Sequence, residues 1–244
     1  MTRLRSMRPA PADRLIVALD ALTLPDAVRM ARRLQGVVRT VKIGSALFTA
    51  CGPDAIRRMR ALGFGVMLDL KFFDIPSTVE LSCRSAVRHR ITLLTVHATG
   101  GRTMLEAAVG GVRAEASRLG FARPRVLAVT VLTSAGEPKA RAVRERVLRL
   151  SEDAFRARCD GVVASAQDAA SLKRRFGDHW HVVCPGIRPS WSSAGDQRRV
   201  CTPGDALAAG ADALVIGRPI TAATNPRAAV QRILHELTEG SCRC

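Results

Sequence analysis

The 244-residue chain has no tyrosine and only two tryptophans. Aromatic platforms on which bases could stack are therefore scarce, which counts against single-stranded nucleic-acid binding. No tract comes near the roughly 18 consecutive apolar residues of a membrane helix, so no membrane association is expected. The seven cysteines are odd in number and scattered, which excludes a regular disulfide framework. A reduced, cytoplasmic protein is the expectation. Cys242 and Cys244 read as part of a frayed end rather than as metal ligands. The basic N-terminal stretch MTRLRSMRPAPADR has no apolar core of the kind a secretory signal requires. Residues 1–13 are accordingly expected to be a disordered tail and residues 14–240 a single domain.

Lysine is the other scarcity. Of 38 basic residues only four are lysine, namely Lys42, Lys71, Lys139 and Lys173. The formal charge of +17 comes from arginines spread over all the predicted helices, such as Arg29, Arg57, Arg88 and Arg90. They form no single stripe interleaved with aromatics, so no nucleic-acid partner is expected. Arginine keeps its proton in a protein, whereas lysine can give one up. A chain that otherwise prefers arginine draws attention to Lys42 and Lys71, both at the ends of predicted strands.

Short β-branched runs alternate with longer amphipathic stretches, the pattern of βα units and a parallel sheet. The predicted strands are LIVALD (15–20), VVRTVKIG (37–44), FGVMLDLK (64–71), ITLLTVHA (91–98), RVLAVTVLT (125–133), GVVAS (161–165), HVVCPG (181–186) and ALVIG (213–217). Eight such strands with intervening helices fit a single (β/α)8 TIM barrel, an α/β fold. An open doubly wound sheet is the rival, but no G-x-G-x-x-G follows the first strand.

Most of these strands end on a polar or special residue, while their bodies are aliphatic. In such barrels the catalytic groups sit at the C-terminal strand ends. Side chains alternate along a strand, so Asp69 and Lys71 are expected on one face. With Asp20 and Lys42 closing the first two strands, they form a candidate network of alternating charge. Paired charges offset each other's desolvation. A purely structural ion-pair rim is the alternative. Carboxylates could also hold Mg²⁺, but two lysines in the cluster would repel it. Asp74, Pro76, Ser77 and Glu80 follow. Ser77 and Glu80 have capping-box spacing, which predicts a helix starting near Pro76 or Ser77. A capping or helix-dipole role is then the simple reading of Asp74.

PGIRP (185–189), GDQRRV (195–200) and VIGRPIT (215–221) surround the last two strand ends, where barrels of this kind often bind phosphate. Gly217 permits close backbone approach and Arg218 can fork onto phosphate oxygens. Arg188 and Gln197 lie on a long loop suited to a lid. His97 ends the fourth strand with no assigned part. His179 and His181 flank Trp180 and read as strand edge rather than as metal ligands.

Together, D-x-K-x-x-D-I-P-x-T at 69–78, Asp20, Lys42, VTVLTS at 129–134, PGIRP with GDQ, and VIGRPIT resemble the orotidine 5′-phosphate decarboxylase family over residues 14 to about 230. The resemblance implies a homodimeric barrel that converts orotidine 5′-monophosphate to UMP and CO₂ without metal or organic cofactor. It implies that Lys71 donates the proton and that Asp69 stands beside the departing CO₂, with Lys42 and Asp74 completing the array. Asp74 and Thr78 would come from the partner subunit. Asp20 and Lys42 would contact the ribose, Thr133 the pyrimidine, and Arg188, Gln197, Gly217 and Arg218 the phosphate. Hexulose-phosphate synthases share the D-x-K-x-x-D core but use Mg²⁺; the continuation I-P-x-T and the GDQ loop favour the pyrimidine enzyme.

Overall fold

The computed structural model describes residues 10–132, 140–192 and 201–240. Eight parallel strands close into a barrel in sequence order. They are β1 (Leu15–Leu19), β2 (Thr40–Gly44), β3 (Gly65–Phe72), β4 (Leu93–His97), β5 (Arg125–Val129), β6 (Gly161–Val163), β7 (His181–Cys184) and β8 (Ala213–Ile216). β8 returns to β1 through the pair Val17↔Ile216, which leaves no sheet edge exposed.

Around the barrel run α1 (Leu24–Leu34), α2 (Ser45–Cys51), α3 (Pro53–Ala61), α4 (Pro76–Arg88) and α5 (Gly101–Leu119). They are followed by α6 (Ala140–Arg156), α7 (Ala166–Phe176), α8 (Pro203–Ala208), α9 (Arg218–Thr221) and α10 (Pro226–Gly240). The (β/α)8 TIM barrel expected from the sequence is thus the fold observed. Among the described residues, no helix is long and apolar enough to cross a membrane.

Strand alternation divides the core into two layers. Val17, Val41, Val66, Leu68 and Leu94 face the helices in one large cluster. Ile16, Ala18, Met67, Leu127, Val163 and Val215 fill the barrel interior in a second. Residues of this second parity at the C-terminal ends are therefore directed into the barrel mouth, which fixes where Asp20, Lys42 and Asp69 must project.

Two details depart from the sequence expectation. Most strands are shorter than their apolar runs, and β5 stops at Val129, four residues before Thr133. The Thr130 hydroxyl instead donates to the Val163 carbonyl. The capping box is also absent. α4 begins at Pro76, Ile75 occupies the cap position, and no side chain caps the end. Proline suits the first helical position because its missing N–H needs no acceptor there. That start places Ser77 inside the first turn, and Glu80 turns to Arg84 at 3.8 Å.

Candidate active site

β1 delivers Asp20, β2 delivers Lys42, and β3 delivers Asp69 and Lys71 to one end of the barrel. The Lys42 ammonium lies 3.1 Å from Asp20 Oδ1 and 3.5 Å from Asp69 Oδ2. Lys71 Nζ donates to Asp69 Oδ1 at 2.9 Å. The order Asp20, Lys42, Asp69, Lys71 is therefore a chain of alternating charge, as strand parity predicts. Lys42 and Asp69 are the deeper pair, with side chains 12% and 11% exposed, while Asp20 opens to solvent at 64%.

Burial alone would push the Asp69 carboxyl up. The ammoniums of Lys42 and Lys71, with hydrogen bonds from Lys71 and Thr95, outweigh it and hold the group below its ordinary value. Asp69 is thus a fixed carboxylate in a partly desolvated setting.

The backbone that carries this pair is irregular. β3 and β4 pair at Leu68↔Leu94 and next at Phe72↔Val96, so β3 carries two extra residues between those points. Within the bulge Lys71 adopts a positive φ of 51°, a conformation that costs a non-glycine residue on the order of 1 kcal/mol. Its amide has left the strand ladder and donates to the Thr95 hydroxyl at 3.0 Å. The same hydroxyl donates to Asp69 Oδ1 at 3.0 Å. Nothing in the sequence singled out Thr95, because a threonine within LLTVH reads as an ordinary strand residue.

Gly44 was missed for a similar reason. It sits opposite Asp69 in the β2–β3 ladder. A Cβ there would come within 2.9 Å of Lys42 Nζ and 3.4 Å of Asp20 Oδ1. Its backbone, at φ −91°, suits any residue. Glycine leaves here the space in which the Lys42 ammonium sits.

At the charges opens a cavity of about 190 Å³ lined by Lys42, Asp69 and Lys71 together with the apolar Met67, Val129, Val131, Val163 and Val215. A lining that mixes a few fixed charges with hydrocarbon suits a small ligand that is apolar in its body and polar at one edge. A second cavity, of about 310 Å³, is lined by residues that include Arg188, Trp191, Ser192 and Arg218. Arg188 is buried, and both that burial and the nearby Arg218 charge lower its pKa. Two guanidiniums brought together in a cleft favour an anion between them. Arg218 opens the short α9 and Gly217 caps it.

Asp74 and Thr78 stand apart from this cluster. Both are exposed, neither lines these two cavities, and Asp74 Oδ1 accepts the adjacent Ile75 amide at 2.6 Å. Exposed Phe73, Ile75 and Leu81 surround them. Thr133 and Gln197 lie outside the described residues. His97 Nδ1 accepts the Thr99 amide at 3.4 Å, ending β4 rather than joining the array, and burial with the Lys71 charge lowers its pKa. His181 opens β7 at the other end of the barrel. Among the described residues, no three His, Cys, Asp or Glu side chains are grouped to hold a metal ion.

Comparison with known proteins agrees with this fold. The model of the Orotidine 5'-phosphate decarboxylase / HUMPS family matches residues 13–233. An orotidine 5'-phosphate decarboxylase of Chromohalobacter salexigens is 46% identical over 238 residues, covering 93% of this chain and 97% of that protein. One of Syntrophotalea carbinolica is 44% identical over 230 residues, covering 92% and 94%. The crystal structure of orotidine 5'-phosphate decarboxylase from Lactobacillus acidophilus matches with a TM-score of 0.80 at 35% identity, over 94% of this chain and 99% of that one. These relatives are, by name, carboxy-lyases. With the family model matched along nearly the whole barrel, the chain belongs to the Orotidine 5'-phosphate decarboxylase / HUMPS family.

Proposed function

We propose that the chain decarboxylates orotidine 5′-monophosphate to UMP and CO₂ in pyrimidine biosynthesis, with Lys71 as proton donor and no metal or organic cofactor. The observation that carries this reading is the Asp20–Lys42–Asp69–Lys71 array at a cavity otherwise lined largely by apolar side chains.

Loss of CO₂ from C6 of the pyrimidine leaves an electron pair in an sp² orbital with no adjacent carbonyl to receive it. An ammonium aimed at that carbon stabilises the developing charge and then supplies the proton. Lysine does both; arginine does only the first. Asp69, held ionised, stands where the substrate carboxylate would lie and disfavours the bound ground state relative to the carbanion. Its second task is to orient the Lys71 ammonium. Lys42 and Asp20 form the polar edge that meets the ribose hydroxyls. Arg188, Gln197, Gly217 and Arg218 take the phosphate, with Thr133 at the pyrimidine. Binding energy from that remote phosphate holds the base against the array, so a nucleoside without it reacts poorly.

A metal has little place in this arrangement, because Lys42 and Lys71 already meet both oxygens of Asp69 and would repel a cation there. Asp74 and Thr78 act in the site of a partner subunit. Their exposure, and the apolar Phe73, Ile75 and Leu81 around them, support a homodimer formed over the barrel mouth. The enzyme is expected in the cytoplasm with its pathway.

The test is the fall in absorbance of orotidine 5′-monophosphate with and without EDTA. Turnover indifferent to EDTA is expected. Absent turnover, or activity abolished by the chelator and restored by Mg²⁺, would refute the reading.

A further inference from the structure

Thr95 is fully buried in β4, on the interior-facing parity between Leu93 and His97. A strand position surrounded by hydrocarbon is ordinarily served by valine, which matches threonine in shape and carries no polar group to satisfy. Both functions of the hydroxyl are in use. Its oxygen accepts the Lys71 amide at 3.0 Å, and its single proton is directed to Asp69 Oδ1 at 3.0 Å. The amide is always a donor and the ionised carboxylate only an acceptor, so the hydroxyl accepts from the one and gives its proton to the other.

We propose that Thr95 is a positioning residue for the reaction, bridging the bulged Lys71 backbone to the Asp69 carboxylate so that the ammonium and its orienting carboxylate keep one geometry. This rests on the reading of Asp69 and Lys71 given above. The bulge removes the Lys71 amide from its ladder partner, and a positive φ at a lysine would relax if nothing held that amide. Thr95 supplies the missing acceptor. It binds the same Asp69 oxygen that receives the Lys71 ammonium, so hydroxyl and ammonium meet at one carboxylate oxygen while the hydroxyl also holds the Lys71 backbone. Fixing a reacting group this way matters because small misplacements are costly in rate.

The test compares the full-length wild type with Thr95→Val and Thr95→Ser. Thr95→Val is expected to lower kcat by about 10-fold or more with little change in KM, because the substrate contacts remain. Its acid limb should move to higher pH, since Asp69 loses a hydrogen bond that favours the carboxylate. Thr95→Ser should recover most of the rate and the original profile. A ¹³C titration of the Asp69 carboxyl without substrate gives a reading independent of turnover. Its midpoint should rise in Thr95→Val and return in Thr95→Ser. An unchanged kcat with an unmoved Asp69 midpoint in folded Thr95→Val would overturn the proposal. A moved midpoint in a protein whose wild type does not turn over orotidine 5′-monophosphate would instead count against the decarboxylase reading while upholding the bridge. If Thr95→Val does not fold, Thr95→Ala takes its place, and a serine variant as impaired as the alanine one would refute the role.

Discussion

Lys71 Nζ and Asp69 Oδ1 are 2.9 Å apart on a stretch of β3 that has left regular strand geometry. Two residues apart in sequence, they would share a face in any strand. What the bulge adds is a lysine whose backbone is turned and whose amide is tied to a neighbouring strand, so the ammonium is fixed from both ends.

That fixation makes Lys71→Arg informative. Positive charge is retained, but the guanidinium does not release a proton, so kcat should fall by roughly 10²-fold or more. Far-ultraviolet circular dichroism should be unchanged. Near-normal turnover would remove Lys71 from the role of proton donor.

Gly44→Ala tests the seat of Lys42. The backbone there accepts alanine, so the fold should be retained with a near-native Tm. The new methyl must push the Lys42 ammonium or the Asp20 carboxylate aside. A fall in kcat/KM of about 10-fold or more is expected, measured by the same absorbance assay. An unaffected enzyme would show that neither group needs its observed place.

A shared site predicts complementation. Asp69→Ala and Asp74→Ala subunits, each inactive alone, should recover on mixing because a heterodimer assembles one intact site. Random reassortment would restore about a quarter of wild-type activity. Absence of recovery, with heterodimers demonstrated by native mass spectrometry, would assign Asp74 to its own subunit.

Glu115 on α5 is buried beneath Arg84, Arg88 and Arg118 and ties α5 to α4. Hydrogen bonds from Arg118 and Arg88 outweigh burial and hold its carboxyl at about 2. The usual value in an unfolded chain is about 4.3. A depressed folded pKa means stabilisation that is complete above the unfolded value and lost as pH falls through the folded one. Glu115→Gln should therefore lower Tm at neutral pH, and the gap to wild type should close between about pH 4 and pH 2. A constant gap across that range would rule out the ionised pairing as its source.

The barrel and its charged mouth were readable because both follow from alternation. Apolar residues at every second position fix which side faces the helices, and Asp20, Lys42 and Asp69 then have only one way to point. Interactions that depend on a second strand were not readable. Thr95 matters through a bulge in β3, which no pattern within LLTVH reports. Gly44 matters through the tip of a lysine two residues earlier. The Ser77–Glu80 spacing marked the helix start near Pro76 but not its cap, because Pro76 takes the first helical position and Ile75 the cap. Asp74 and Thr78 are placed but not brought to the cluster.

The excess in β3 is confined. Before it, Thr40–Gly44 and Gly65–Asp69 pair without interruption, and after it Phe72↔Val96 is back in step. The reacting segment is thereby insulated from the scaffold. Side chains at 69 to 74 can change their chemistry without re-registering any strand of the barrel. A lineage of such chains can then diversify what it does to a substrate while inheriting one framework intact.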